Sequence, residues 1–182
     1  MAASRPLQVR LSGIGGQGLI LSGRMLAQAC MTGGSYVAQS QSYEPTSRGG
    51  VSRSDLVVSE DNSAYPLVTH LDALVILDQS AVGISEAIID TDTVIVVDDD
   101  LVPKPPGGAL HVTRLPLIDE ARRLRNPRVA NVISLAALVI LAELCPFEAL
   151  EDAVERLTPA KFRVRNMDAL RVGEKLAQRQ AA

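Results

Sequence analysis

The stretch VRLSGIGGQGLILSGRML, residues 9–26, constrains this chain more than any other. Val9 and Leu11 alternate with polar residues, as in a short strand. Gly13, Gly15 and Gly18 follow at G-x-G-x-x-G spacing, with Gly16 and Gln17 inside the pattern. From Gln17 to Met31, the residues Ile20, Leu21, Met25, Leu26 and Ala29 recur near helical spacing. A strand that turns on glycines into a helix leaves free N–H groups at the helix start, where an anion, phosphate above all, is favoured. The same pattern also serves as a tight turn with no ligand, and glycine spacing alone does not choose between the two.

A dinucleotide makes a second demand. An acidic residue is needed about 20 residues further on, at the end of the next strand, to hold the ribose hydroxyls. That strand reads SYVAQSQSY, and its end offers Gln39, Ser40, Gln41 and Ser42. The first acid, Glu44, lies beyond the strand and before Pro45, and no arginine stands there to read a ribose phosphate. Bound NAD or FAD is therefore not expected.

At 182 residues the chain suits a single domain spanning residues 1–182, with a core of Val, Ile, Leu and Ala because aromatics are only 3%. A formal charge of −3 and the scarcity of stacking rings argue against a nucleic-acid partner. Glycines and Arg24 interrupt the first apolar stretch, so no signal peptide is expected. The longest apolar run, LAALVILA at 135–142, is too short to span a bilayer. These readings predict a cytoplasmic protein with no membrane partner.

Further along, VSRSDLVVSE, LDALVIL, TVIVV and ALHVTRLP read as strands, the middle two as buried ones. QSAVGISEAIID between them predicts a helix. LIDEARRL, VANVISLAALVILAEL, PFEALEDAVERL and NMDALRVGEKLAQRQ read as helices, the third with proline in its first turn. Strands and helices that alternate early and give way to helices predict an α/β fold, a Rossmann-like mixed sheet with flanking helices and a helical C-terminal third. Val132–Leu144 is apolar almost all round, so it is buried either in this domain's own core or under another chain.

Several clusters have an ordinary reading beside a chemical one. Arg48, followed by Gly49 and Gly50, reaches outward as an anion contact or caps carbonyls of its own loop. Asp98, Asp99 and Asp100 form a hard-metal site or a solvated strand end, and the absence of further well-placed acids favours the strand end. The basic runs RRLRNPR (122–128) and KFRVR (161–165) are solvated faces, or meet an acidic partner or phosphates. His70 and His111 read as structural. Cys30 and Cys145 lie far apart in sequence and each ends an apolar helical stretch, which suits buried inert thiols. With no C-x-x-C pair, they cannot supply the four thiolates of an iron–sulfur cluster.

GIGGQG at 13–18, followed some thirty residues later by YEPTSRGG, resembles the gamma subunit of the 2-oxoacid:ferredoxin oxidoreductases. The resemblance extends through SDLVVSEDNSAYPLVTHLDALVILD to NVISLAALVIL and RNMDALRVGEKL, blocks that carry Asn131 and Asn166. Tyr43-Glu44-Pro45-Thr46 departs from the glycine that often follows the tyrosine in that family. The resemblance implies a subunit of an enzyme that oxidatively decarboxylates a 2-oxoacid to an acyl-CoA. Thiamine diphosphate, Mg and [4Fe-4S] clusters would then sit in partner subunits. The partners implied are alpha, beta and ferredoxin-like (delta) subunits, with ferredoxin or another electron acceptor. No catalytic residue and no metal ligand is expected in this chain. Gly13, Gly15, Gly16, Gln17, Gly18, Arg48, Gly49 and Gly50 would face coenzyme A or a neighbouring subunit. The competing class is an autonomous nucleotide-binding regulatory module, which would bind its nucleotide alone.

Overall fold

The computed structural model describes residues 5–43, 50–61, 65–108 and 110–181. Six strands form one sheet: β1 (Leu7–Ile14), β2 (Tyr36–Tyr43), β3 (Val51–Ser59), β4 (Ala73–Ile76), β5 (Val94–Asp98) and β6 (Val112–Leu115). Their order across the sheet is β2-β3-β1-β4-β5-β6. Strands β4, β5 and β6 continue parallel from β1. β3 runs antiparallel to both β1 and β2, so it is the one reversed strand and sits between two that point the same way.

Alternation along the strands sorts the apolar residues onto two faces. Val9, Leu11, Leu56, Ala73, Val75 and Val96 point to one face, where the helices pack. These are α1 (Leu19–Thr32), α2 (Leu117–Arg123), α3 (Ala130–Leu141), α4 (Phe147–Leu157) and α5 (Ala160–Ala181). Leu74, Ile76, Ile95 and Val97 point to the other face, under a smaller cluster that includes Ala81, Val82 and Val102. The mixed sheet with flanking helices and a helical C-terminal region is thus as the sequence predicts.

Helix α3 is buried over Ala130–Val139 by this chain itself. It packs against β4 and β5 below and against α2, α4 and α5 around it. The closest approach is at Gly173 of α5, where an added Cβ would lie 2.3 Å from the Ile133 carbonyl oxygen and 2.7 Å from the Ala136 Cβ. The all-round apolar pattern is accounted for without a second chain.

Two expectations need correction. Residues 79–88 form two 3₁₀ turns, Gln79–Ala81 and Gly83–Ile88, in place of a helix. Glycine and β-branched residues there favour an α-helix weakly, and the Ile84 carbonyl accepts from Arg10 Nη1 at 3.3 Å. Helix α5 begins at Ala160, six residues before NMDALRVGEKLAQRQ, and so takes in the basic run KFRVR. Thr158-Pro159 just ahead of it is the start signal, because proline tolerates the first helical turn.

An ion pair is buried inside the sheet. Arg10 and Asp55 are directly opposed across β1 and β3, at 2% and 4% exposure. The contact is bidentate, with Nε to Oδ1 at 2.7 Å and Nη2 to Oδ2 at 2.8 Å. Arg10 Nη1 also donates to Ser85 Oγ at 3.2 Å. Because removal of one partner leaves a charge buried and unpaired, Asp55→Asn is expected to cost about 3–5 kcal/mol. The double change Arg10→Met with Asp55→Leu is expected to restore most of that stability. Urea unfolding of the parent and the two variants checks both statements, and an Asp55→Asn chain as stable as the parent would contradict the first.

Candidate functional site

The glycine loop leaves β1 at its C-terminal end and is closed from within by Gln17. The Gln17 Oε1 accepts from Ile14 N at 2.8 Å, and its Nε2 donates to the Leu77 carbonyl at 2.9 Å. Gly13 makes room for this, since a Cβ there would lie 2.1 Å from Gln17 Oε1. Gly16 (φ +95°) and Gly18 (φ +77°) hold left-handed backbone that a side chain disfavours. Helix α1 then opens, with its first internal bond from Ser22 N to the Gly18 carbonyl at 3.0 Å. The N–H groups ahead of Ser22 precede that bond and form the open helix end.

The second loop ends beside the first. Gly15 N donates to the Gly50 carbonyl at 3.0 Å, continuing the β1–β3 pairing in which Ile14 faces Val51. The two glycine loops therefore share one sheet edge. Arg48 and Gly49 lie outside the described residues. Gln17 and the Gly15 N–H are engaged inside the loop, which leaves Gly16, Gly18 and the start of α1 as the outward-facing part.

Asn131 joins this loop to a second helix start. It stands in the first turn of α3, only 6% exposed, and its Nδ2 donates to the Gly18 carbonyl at 3.2 Å. A Cβ on Gly18 would lie 2.4 Å from that nitrogen. Arg128 precedes α3 in a short turn, Pro127–Val129, where Asn126 Oδ1 accepts from Arg128 N at 3.3 Å. Two helices thus begin within one hydrogen bond of each other, and their partial positive ends point the same way.

The surface there is a two-part cleft. A cavity of about 210 Å³ and one of about 410 Å³ share Gly16, Arg128 and Asn131. The larger is completed by α5, which contributes Phe162, Arg165 and Asn166. Asn166 is held by donating Nδ2 to Thr158 Oγ1 at 2.9 Å. Phe162 is 41% exposed, and Lys161 Nζ sits 4.9 Å from its ring centre. Arg128 and Arg165 are exposed, and among the described residues neither makes an ion pair.

Asp98 lies on the floor of the smaller cavity and is fully buried, unlike the solvated strand end expected of it. Its carboxylate accepts from the backbone N–H groups of Asp100 (3.0 Å), Leu101 (2.7 Å) and Ile118 (2.6 Å). Burial pushes this carboxyl up, while the three N–H bonds pull the other way. Its role is to tie β5 to the turn and to α2. Among the described residues, no group of three or more His, Cys, Asp and Glu is placed to hold a metal. His70 Nε2 stands 3.4 Å from the Asp72 carboxylate in the approach to β4.

The topology explains why the dinucleotide signature breaks down. In a nucleotide-binding βαβ unit the second strand lies beside the first. Here β3 intervenes, which moves the end of β2 two strand spacings, about 9–10 Å, from β1. A residue at the end of β2 is out of place for a ribose lying over the glycine loop. Arg128, Asn131, Arg165 and Asn166 were not among the expected site residues. Two stood in plain basic runs and two in the C-terminal blocks, but nothing in their spacing indicates that α3 and α5 bring them to residues 16–18.

Comparison with known proteins fits this geometry. The family described as pyruvate ferredoxin/flavodoxin oxidoreductase matches residues 8–176. The chain is 34% identical to the 2-oxoglutarate synthase subunit KorC of Archaeoglobus fulgidus, over 96% of this chain and 90% of that one. It is also 34% identical to the KorC subunit of Methanocaldococcus jannaschii, over 94% of each. The crystal structure of a keto/oxoacid ferredoxin oxidoreductase gamma subunit from Geobacter sulfurreducens superposes with a TM-score of 0.84 at 36% identity, covering 97% of this chain and 99% of that one. This chain belongs to the gamma-subunit family of multi-subunit 2-oxoacid:ferredoxin oxidoreductases.

The contact between Asn131 and Gly18 can be isolated by substitution. Gly34→Ala introduces a side chain at φ +91° with nothing within 4 Å, and is expected to cost about 1–2 kcal/mol from backbone strain alone. Gly18→Ala carries the same strain and also displaces Asn131, so it is expected to cost more. Asn131→Ala in the Gly18→Ala background should recover the difference. Equal unfolding midpoints for Gly18→Ala and Gly34→Ala would show that Asn131 does not press on the loop.

Proposed function

We propose that this chain is the gamma subunit of a thiamine diphosphate- and iron–sulfur-dependent oxidoreductase that converts a 2-oxoacid to an acyl-CoA, and that it acts in the cytoplasm. On this reading residues 1–182 form one domain that completes the assembly and lines the coenzyme A entrance. The observation that carries the coenzyme A role is the convergence of two helix starts with Arg128 and Arg165 on one cleft. A phosphate there meets backbone N–H groups and two guanidinium groups together. Phe162 offers an exposed ring for a base to stack on. The 410 Å³ cavity suits one end of coenzyme A rather than the whole molecule, leaving the thiol end to reach toward a partner.

The redox groups belong elsewhere on this reading. Cys30 and Cys145 offer only two thiols, and both are free. A four-thiolate cluster has no ligand set in this chain. Alpha, beta and ferredoxin-like subunits would carry thiamine diphosphate with Mg and the clusters, and pass electrons to ferredoxin or a related acceptor. Family membership and the two curated KorC relatives support this division of labour.

Arg48, Gly49 and Gly50 belong to the same proposal, since Gly50 hydrogen-bonds the first loop. In the assembled enzyme, Arg48→Ala is expected to lose about 1.5–3 kcal/mol of coenzyme A-dependent turnover at limiting coenzyme A, if a charge-assisted hydrogen bond is removed. Arg128→Ala with Arg165→Ala should raise KM for coenzyme A while leaving KM for the 2-oxoacid unchanged. Full activity of both variants at limiting coenzyme A, with normal assembly, would overturn the assignment. Calorimetric titration of the chain alone with NAD or FAD is expected to give no stoichiometric binding, and tight binding would favour an autonomous nucleotide-binding module.

A further inference from the structure

The sheet has two edges, and they are unlike. β6 is four residues long and carries the exposed Arg114, which donates to the Asp99 carbonyl at 3.0 Å. A short strand with a cation beside it resists pairing with another chain. β2 runs for eight residues, YVAQSQSY, with no charge and no proline. It pairs with β3 at every position and has no bulge. An edge of this kind is a template for one more strand.

The pairing shows which backbone groups that edge offers. Along an antiparallel strand, hydrogen bonds go to one neighbour from alternate residues. Gly15 N reaches the Gly50 carbonyl, so Ser52, Ser54, Leu56 and Val58 of β3 bond toward β1. Arg53, Asp55, Val57 and Ser59 therefore bond toward β2, where they face Ser42, Ser40, Ala38 and Tyr36. Val37, Gln39, Gln41 and Tyr43 are left with N–H and C=O groups turned away from the sheet. Among the described residues, no backbone bond from another segment reaches them.

Exposed apolar side chains gather beside the same edge. Tyr36 opens β2, and Met31 stands near the end of α1 just before it; both are exposed. Ser40 Oγ donates to the Pro66 carbonyl at 3.0 Å. That bond brings Tyr65 and Leu67, each more than half exposed, alongside the strand.

We propose that β2 is an interaction surface for a second copy of this chain, the two β2 strands pairing antiparallel across a two-fold axis. Two-fold contacts set a surface against itself, so a charge on this strand would approach its own sign, and β2 carries none. One register uses every outward group: Val37 opposite Tyr43, Gln39 opposite Gln41, and Ser40 on the axis opposite its counterpart. The sequence is nearly symmetric about that serine, with Gln on each side and the small Ala38 and Ser42 beyond. A foreign strand finds no charge here to recognise, whereas the edge matches itself in length and polarity. Tyr36, Tyr65 and Leu67 then border the junction, and covering them adds apolar burial to the backbone bonds.

The test uses the full-length chain alone. Sedimentation equilibrium should give twice the mass of one chain, falling to the single-chain mass on dilution. Amide exchange followed by NMR identifies the surface. Gln39 and Gln41 amides should exchange slowly in the dimer and fast on dilution, while Ala38 and Ser40 stay slow in both. Ser40→Cys should cross-link two copies on oxidation beyond any seen with the parent, because a non-hydrogen-bonded pair sets its Cα atoms about 4.5 Å apart, within disulfide reach. Ser42→Cys lies off the axis and should not cross-link. Gln41→Pro removes an outward N–H but no bond to β3, and should give a monomer with an unchanged circular dichroism spectrum. If the proline variant does not fold, the exchange pattern and the cross-link decide. A chain monomeric at every concentration, or a dimer whose Gln39 and Gln41 amides exchange fast, would overturn the proposal. Slow exchange at those amides only in the assembled enzyme, with the chain alone monomeric, would overturn it too and assign the edge to a different subunit.

Discussion

Arg10 and Asp55 face each other across β1 and β3 with both charges out of water, and that pairing dictates how the two strands align. A slip of one residue would turn Arg10 toward the apolar helices and leave Asp55 without its fork of donors. In the observed register, Ile14 falls opposite Val51, and Gly15 reaches the Gly50 carbonyl. The two glycine loops meet because an ion pair several residues away has already fixed where β3 must start. The guanidinium also extends to Ile84 and Ser85, so the same contact shapes the connection that follows β4.

From that edge the cleft is assembled by packing. Gln17 seals the loop internally and Asn131 docks α3 against its outer turn. Gly173 lets α5 lie against α3 closely, which carries Phe162 and Arg165 to the mouth of the larger cavity. The residues best placed to meet an anion thus come from three separate parts of the chain, and each depends on a contact with a side chain absent or small at one position.

Much of this is legible in the amino-acid sequence. The alternation in VRLSGI, the glycine spacing and the buried runs LVIL and VIVV marked out β1, the loop, β4 and β5, because two-residue periodicity and turn chemistry are local properties. The missing acid after SYVAQSQSY is a local feature, whereas the insertion of β3 between β2 and β1 is topological and leaves no local trace. Residues 79–88 misled because their apolar spacing suits a helix, while the Ile84 carbonyl is drawn to an arginine seventy-four residues earlier. Asp98 misled for a similar reason: three consecutive aspartates suggest solvent, and only the fold shows the first of them turned inward to collect three N–H groups. Arg128 and Arg165 could be read as basic but not as neighbours, since sequence spacing carries no information about how α3 and α5 cross.

The burial of α3 also governs how such a chain can be made. The helix-side face over β4 and β5 is covered by a segment that starts at residue 130, after every strand of the sheet has left the ribosome. Until then Ala73, Val75 and Val96 lack their cover, and a nascent chain bearing a bare apolar sheet is prone to stick to others like itself. Synthesis therefore passes through an interval in which the sheet is complete in sequence but not in substance.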